Sequence, residues 1–112
     1  MKMIIAFVQP FMAPQVVQAL RQMPGLSGAS FADVEGFGRG RSSANASASE
    51  ELHGTTKKVR VEVVTSDETA DAVEGTLREA AHTGNRGDGK IFVLDVVRAL
   101  RVATDEQGND VV

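Results

Sequence analysis

Residues 58–81 read KVRVEVVTSDETADAVEGTLREAA, and the spacing of the apolar residues changes partway through this stretch. In KVRVEVV (58–64) valines alternate with charged residues, which predicts a strand with one buried face. From Asp67 to Ala81 the apolar residues instead recur every three or four positions, as on one face of a helix. Thr65 and Glu68 have the spacing of a capping box before that helix. The stretch therefore predicts a strand followed directly by an amphipathic helix.

The flanking segments predict three more strands and one more helix. Bulky apolar and β-branched residues mark the strands, and Pro14 followed by apolar residues at helical spacing marks the helix. The strands are predicted over 2–9, 28–35 and 90–97, and the helix over 14–23. The order βαββαβ predicts a ferredoxin-like α+β fold, with an antiparallel sheet, both helices on one face and a long loop between strands 2 and 3.

The other face of this sheet is expected to be apolar and uncovered. Two short helices cannot hide all four of its large residues, which are Ile5, Phe7, Phe92 and Leu94. A symmetric oligomer that buries this face is therefore predicted.

Composition limits the class of protein. The 112 residues, 42% hydrophobic and 24% charged, predict a single soluble domain over 1–112. A net charge of −3 argues against a nucleic-acid partner, and the lack of cysteine excludes disulfides and thiol chemistry. The apolar run near the N-terminus, residues 3–8, is too short for a signal peptide or a membrane span. We expect a cytoplasmic protein with no direct membrane insertion.

Two segments are expected to lie outside the packed core. Residues of about 37–57 form a long loop, in which eight small residues over 42–49 predict a flexible tether. His53 with Glu50 and Glu51 is not expected to bind a metal, since such residues in a loop are usually solvated. Residues of about 102–112 form a C-terminal tail.

The stretch HTGNRGDGKIFV (82–93) allows several interpretations. Residues 84–90 fit the phosphate-loop pattern G-x-x-x-x-G-K, but a helix precedes them and a strand follows, and Ile91 replaces the required Ser or Thr. The Arg86-Gly87-Asp88 tripeptide is short enough to occur by chance. Two alternatives remain from the residues alone. The glycines could form a nest of N–H groups for an anion, with Lys90 at its rim, or only a helix C-cap and a tight turn.

The chain resembles the PII family of signal-transduction proteins over nearly all of its length. The resemblance rests on QPF after the first strand, GFGR at 36–39, KVRVEVV at 58–64, TGNRGDGKIFV at 83–93 and RALR at 98–101. It implies a homotrimer with ferredoxin-like subunits that binds ATP or ADP in clefts between neighbours, with Mg²⁺ as a possible companion. It also implies a sensor rather than an enzyme, one that acts in nitrogen regulation and docks on a target enzyme or membrane transporter through the 37–57 loop.

The resemblance also implies roles for particular residues. It assigns the phosphates to Gly87, Asp88, Gly89 and Lys90, with Arg101 reaching them from the next subunit. It places Gly36, Gly38 and Arg39 in the same cleft, and Ser30, Glu62 and Val64 near the adenine and ribose. Lys58 matches a lysine that binds the effector 2-oxoglutarate in relatives.

Three positions depart from the family pattern. Gly40 stands where relatives that bind 2-oxoglutarate have glutamine, so binding of this effector is not expected. Ala103 stands in place of a second phosphate-facing arginine. The chain has no tyrosine, which excludes tyrosine modification of the loop. These differences keep open a divergent PII-like regulator of inorganic-carbon or metal transport.

Two other function classes remain as alternatives. A small phosphatase would need a base beside the anion nest, and His82 is the only nearby histidine. A structural adaptor would have the same fold with a cleft that binds nothing, so nucleotide would not raise its thermal midpoint.

Overall fold

The computed structural model describes residues 1–38 and 54–112 of the chain. Its elements follow the order βαββαβ, with a short 3₁₀ turn before the first helix and another at the end of the chain. They are β1 (Lys2–Val8), the turn Pro10–Met12, α1 (Ala13–Arg21), β2 (Ser30–Gly36), β3 (Thr56–Thr65), α2 (Asp67–Ala81), β4 (Lys90–Asp95) and the turn Gly108–Val111. The strands form one antiparallel sheet in the order β2-β3-β1-β4. The predicted ferredoxin-like fold is confirmed.

One face of the sheet carries the core. In the two central strands, β1 and β3, the register places Ile4 opposite Val63 and Val8 opposite Val59, so that apolar side chains of both strands share a face. Val16 of α1 and Leu77 of α2 pack on this face and are fully buried. Full burial of such a side chain stabilises the fold by about 1.5–3 kcal/mol. Both helices therefore lie on one face because their apolar stripes meet the same row of valines and isoleucines.

The boundary between β3 and α2 differs from the prediction. Thr65 is the last residue of β3, is paired with Lys2 and is buried, so its side chain cannot cap the helix. The N-cap is Ser66, whose hydroxyl lies 3.0 Å from the hydroxyl of Thr69. The capping box of Thr65 and Glu68 was therefore wrong, because strand pairing extends one residue further than the alternating pattern.

The second face of the sheet is uncovered in the single chain, as the sequence predicted, and carries apolar residues of β1 and β4 beside charged residues of β3. Phe92 and Leu94 of β4 are 48% and 44% exposed. The ring of Phe92 packs edge-on against Phe7 with centroids 6.4 Å apart, and the guanidinium of Arg60 lies 5.8 Å from the Phe7 centroid. The oligomer expected to bury this face stays a prediction.

The chain beyond β4 is ordered by its own hydrogen bonds. Leu100 and Gln107 form an antiparallel bridge, which closes a hairpin within the segment predicted as a tail. No helix within 1–38 or 54–112 is long and apolar enough to cross a membrane.

Candidate functional site

The loop between α2 and β4 has a backbone that requires glycine. After α2 ends at Ala81, the chain becomes extended at His82. Gly84, Gly87 and Gly89 then have φ values of +87°, +90° and +108°. Side chains other than glycine rarely adopt this region, so the three glycines are what allow the loop to turn back into β4.

The carboxylate of Asp88 binds the loop to itself. It accepts hydrogen bonds from the backbone N–H groups of Thr83 and Gly84, at 2.7 and 2.9 Å, and from the hydroxyl of Thr83. The side-chain amide of Gln9 donates a fourth bond, at 3.4 Å. These contacts join the two ends of the loop and attach it to the residue that follows β1.

The same contacts fix the charge of Asp88. Burial alone would raise the pKa of this carboxyl, but the hydrogen bonds from Thr83, Gly84 and Gln9 outweigh burial and lower the pKa to about 2. Asp88 is therefore ionised at any physiological pH. A phosphate would be repelled by direct contact with this carboxylate, so the geometry suits a residue that positions the loop.

Gly89 brings the loop against β1. A Cβ atom at this position would lie 1.6 Å from the carbonyl oxygen of Phe7, which is far inside van der Waals contact. Across the end of β1, the ammonium of Lys58 on β3 donates a hydrogen bond to the carbonyl of Gly87. The loop thus rests on β1 and is attached to β3 through the lysine predicted to bind an effector.

A cavity of about 430 Å³ opens between this loop and the end of α2. Lys90 and Gly89 line it from the loop, and Arg78 and His82 line it from the helix, with Glu74 and Asp88 as acidic neighbours. His82 Nδ1 lies 3.7 Å from Asp88 Oδ2. Lys90 and Arg78 therefore lie on opposite elements around a cavity that also contains exposed glycine backbone and two carboxylates.

A second cavity, of about 370 Å³, lies at the other end of β3. Ser30, Glu62 and Val64, which the sequence predicted near the adenine and ribose, line it together with Ser27, Gly28 and Ala29. Val111 and Val112 from the end of the chain complete the lining. The two cavities share no lining residue, so one chain does not bring the predicted phosphate and nucleoside residues together.

Comparison with known proteins gives the same assignment over the whole chain. A sequence model of the family "Nitrogen regulatory protein P-II" matches residues 1–106. The chain is 41% identical to the nitrogen regulatory protein P-II of Rhizobium meliloti (strain 1021), over the full length of both. It is 37% identical to nitrogen regulatory protein P-II 1 of Escherichia coli (strain K12), over 96% of each. The chain belongs to the nitrogen regulatory protein P-II family. It is therefore a regulator of the P-II type.

In this P-II chain the other predicted site residues within 1–38 and 54–112, which are Gly36, Gly38 and Arg101, do not line the cavity beside the loop. Arg101 is held within the C-terminal hairpin, where Nε lies 3.8 Å from Glu106 Oε1 and Nη2 donates to the carbonyl of Asp110 at 3.4 Å. Gly36 ends β2, and Gly38 follows it as an exposed residue. Arg39 and Gly40 lie outside the described residues, as do most of the 37–57 loop and the predictions for Glu50, Glu51 and His53. Within the described ranges no cluster of three or more metal-ligating side chains occurs.

Sequence reasoning missed the contact that Gln9 makes with the loop and the contribution of the C-terminus to the second cavity. Gln9 is 5% exposed although it is polar, and its amide bonds to Asp88. A polar residue directly after a strand and before Pro10 suggests a buried hydrogen bond, but the pattern does not identify the partner. Val111 and Val112 were treated as part of a tail, because nothing in their local sequence indicates that they fold back on β3.

Proposed function

We propose that this P-II protein is a homotrimer that binds ATP or ADP in clefts between subunits and uses the bound nucleotide as a signal. Through residues of about 37–57 it regulates a partner enzyme or membrane transporter in nitrogen metabolism. The names of its relatives support the nitrogen role, and the geometry of the 82–90 loop supports the nucleotide role.

The observation that carries the proposal is the ordered glycine loop. Three glycines with positive φ allow N–H groups to point into one concavity, and such nests bind phosphate. In this proposal the backbone of Gly87 and Gly89 and the ammonium of Lys90 bind the phosphates directly. Asp88 acts indirectly, by holding the loop in shape. Mg²⁺ could accompany the phosphates.

The nucleoside half of the cleft is assigned to the second cavity, with Ser30, Glu62 and Val64. Since this cavity and the glycine loop are separate in one chain, a neighbouring subunit must bring one half to the other. Arg101 then reaches the phosphates from that neighbour, and Gly36, Gly38 and Arg39 border the cleft at the base of the 37–57 loop. The apolar face around Phe92 and Leu94 is the surface that a trimer would bury.

The effector is assigned to the neighbourhood of Lys58, which already contacts the carbonyl of Gly87. An effector carboxylate at this lysine would therefore act on the phosphate loop. Gly40 offers no side chain to help bind 2-oxoglutarate, so we do not expect this compound to be the main effector. A regulator of inorganic-carbon or metal transport is the alternative.

We propose no catalysis for this site. A hydrolase would need a base that can take up a proton beside the phosphates. His82 lies beside the carboxylate of Asp88, which is occupied by hydrogen bonds from the loop.

Calorimetric titration with ATP, ADP and AMP tests the proposal. The Lys90→Ala variant should bind at least about tenfold more weakly, because a charge-assisted hydrogen bond is worth about 1.5–3 kcal/mol. Lys57→Ala removes another lysine charge, on the exposed side of β3, and should leave the affinity within about twofold of wild type. Failure of the wild type to bind any of the three nucleotides saturably would contradict the proposal.

The same titration identifies the effector when it is repeated with 2-oxoglutarate and with bicarbonate. Bicarbonate that raises nucleotide affinity would favour the carbon-transport alternative. A comparable effect of 2-oxoglutarate would show that Gly40 is compatible with the usual effector.

A further inference from the structure

The C-terminal hairpin directs the end of the chain into the nucleoside cavity. Within it, Arg101 N–H donates to the carbonyl of Glu106 at 2.8 Å, and Gly108 N–H donates to the carbonyl of Ala99 at 3.1 Å. Asp105 has a φ of +62° at the turn, where its N–H bonds to the carbonyl of Arg101. These bonds set the direction in which the 3₁₀ turn Gly108–Val111 leaves the hairpin.

Val111 and Val112 are half-buried at the end of this turn, where they line the cavity of about 370 Å³. Val64 and residues 27–29, which precede β2, also line it. This volume is within the range of small-molecule sites in proteins, which is about 300–1,000 Å³. The cavity therefore combines apolar and polar side chains from parts of the chain that are far apart in sequence.

The polar groups of the cavity fit a nucleoside better than a phosphate. The carboxylate of Glu62 lines it, and an ionised carboxylate accepts hydrogen bonds from hydroxyl and amino groups but repels anions. The hydroxyls of Ser27 and Ser30 can donate or accept. A nucleoside fits this lining when its planar base packs against the valines and its sugar hydroxyls or base amino group lie near Glu62.

We propose that Val111 and Val112 form one wall of the pocket that receives the base of the nucleotide. This inference rests on the proposed nucleotide cleft. In the resulting arrangement the hairpin has two functions, since it presents Arg101 towards phosphate and places the two valines against the base. The hydrogen bond from Arg101 to the carbonyl of Asp110, the residue before Val111, links the two functions.

The test compares the affinities for ADP and for pyrophosphate, which lacks the base, of the wild type and of a Val111→Ala/Val112→Ala variant. Loss of the branched side chains should weaken ADP binding by about tenfold and leave pyrophosphate binding unchanged, because less apolar surface is buried against the base. Val102→Ala is the matched control, since Val102 belongs to the same hairpin but is 93% exposed. It should leave both affinities unchanged. A Val111→Thr/Val112→Thr variant, which keeps the side-chain volume, should weaken ADP binding in the same direction.

The outcomes separate this inference from the proposed function. If wild-type protein binds ADP and the double variants bind it equally well, the valines are not part of the pocket, while the nucleotide site stands. If ADP and pyrophosphate binding weaken by the same factor, the tail acts through Arg101, and the base contact is refuted. If the wild type does not bind ADP, the proposed function itself fails. Thermal unfolding of each variant without nucleotide shows whether it is folded.

Discussion

Asp88 carries a negative charge inside the loop that we propose to bind phosphate. The surroundings of its carboxylate explain why this charge is tolerated. Its side chain is 21% exposed and accepts bonds from Thr83 and Gly84 at the start of the loop, so it faces the loop backbone. A charge already neutralised by several donors costs little to bury and repels a ligand less. The residue thus stabilises the conformation in which the glycines can present their N–H groups.

This role predicts a pH-dependent stability for the loop. The pKa of Asp88 is lowered from 3.8 to about 2, so the ionised carboxylate stabilises the folded state above the unfolded pKa, and this stabilisation is lost as the pH falls from 3.8 towards 2. Asp88→Asn should lower the free energy of unfolding by about 2 kcal/mol at pH 7, with a smaller difference at lower pH. Urea unfolding of both proteins between pH 7 and about pH 2 measures this difference.

Asp71→Asn provides the comparison, because Asp71 is exposed on α2. It should change stability by less than about 0.5 kcal/mol across the same range. A difference between wild type and Asp88→Asn that stays constant with pH would show that the ionised carboxylate is not the stabilising species.

At the scale of single residues, the sequence predicted which residues form the loop better than it predicted the contacts between them. The motif placed Gly87 and Gly89 in a turn that leads into a strand at Lys90, and the structure has them there. It could not show that Asp88 turns towards Thr83, because that contact depends on the positive φ values between them. The hydrogen bond from the Gln9 amide could not be predicted either, since its partner lies 79 positions away in the chain.

The contact between the α2–β4 loop and β1 is the element-scale feature on which the site depends. Gly89 has no room for a side chain, because the carbonyl of Phe7 occupies the position of its Cβ. Gly89→Ala must therefore displace the loop from β1, in addition to the strain of alanine at a φ of +108°. We expect a loss of at least about 2 kcal/mol in the free energy of unfolding, together with loss of nucleotide binding.

Gly75→Ala is the matched glycine substitution. Gly75 lies within α2, and a Cβ there would meet no atom within 4 Å among the described residues. Alanine should raise stability by about 0.5–1 kcal/mol, since it lowers the entropy of the unfolded chain and favours helix. Urea unfolding and ADP titration of both variants check this pair. A Gly89→Ala protein that binds ADP like the wild type would disprove the close-packed loop.

Element order was predictable, and the errors lie at boundaries and in the C-terminal hairpin. The switch from alternating to helical spacing identified β3 and α2, because each of these elements buries only one face in the core. Strand ends depend instead on the length of the neighbouring strand, so β4 ends at Asp95 while the apolar pattern continues to Val97. The hairpin has a few backbone bonds and little apolar periodicity, which leaves no pattern to detect.

Across the whole molecule, the division of the predicted site into two cavities determines how it can work. The glycine loop and the nucleoside cavity lie on one chain and share no lining residue. In a closed ring of identical subunits, each copy can offer its loop to one neighbour and its nucleoside cavity to the other. The exposed apolar residues of the uncovered sheet face, Phe92 and Leu94, suit such an assembly. The sequence indicated that face, but not how subunits would align two separate half-sites.

Mixed trimers test this arrangement directly. Each cleft is proposed to take Lys90 from one subunit and Arg101 from the next. A trimer made only of Lys90→Ala subunits, or only of Arg101→Ala subunits, should therefore contain no intact cleft. Co-expressed in equal amounts, the two variants should restore about one cleft in four, because the required neighbours meet by chance with that frequency. Calorimetric stoichiometry measures the intact sites, and the assembly should have a mass of three times the 11.9 kDa of one chain. If both residues act within one subunit, no mixed trimer can contain an intact site, and the recovered stoichiometry would be zero.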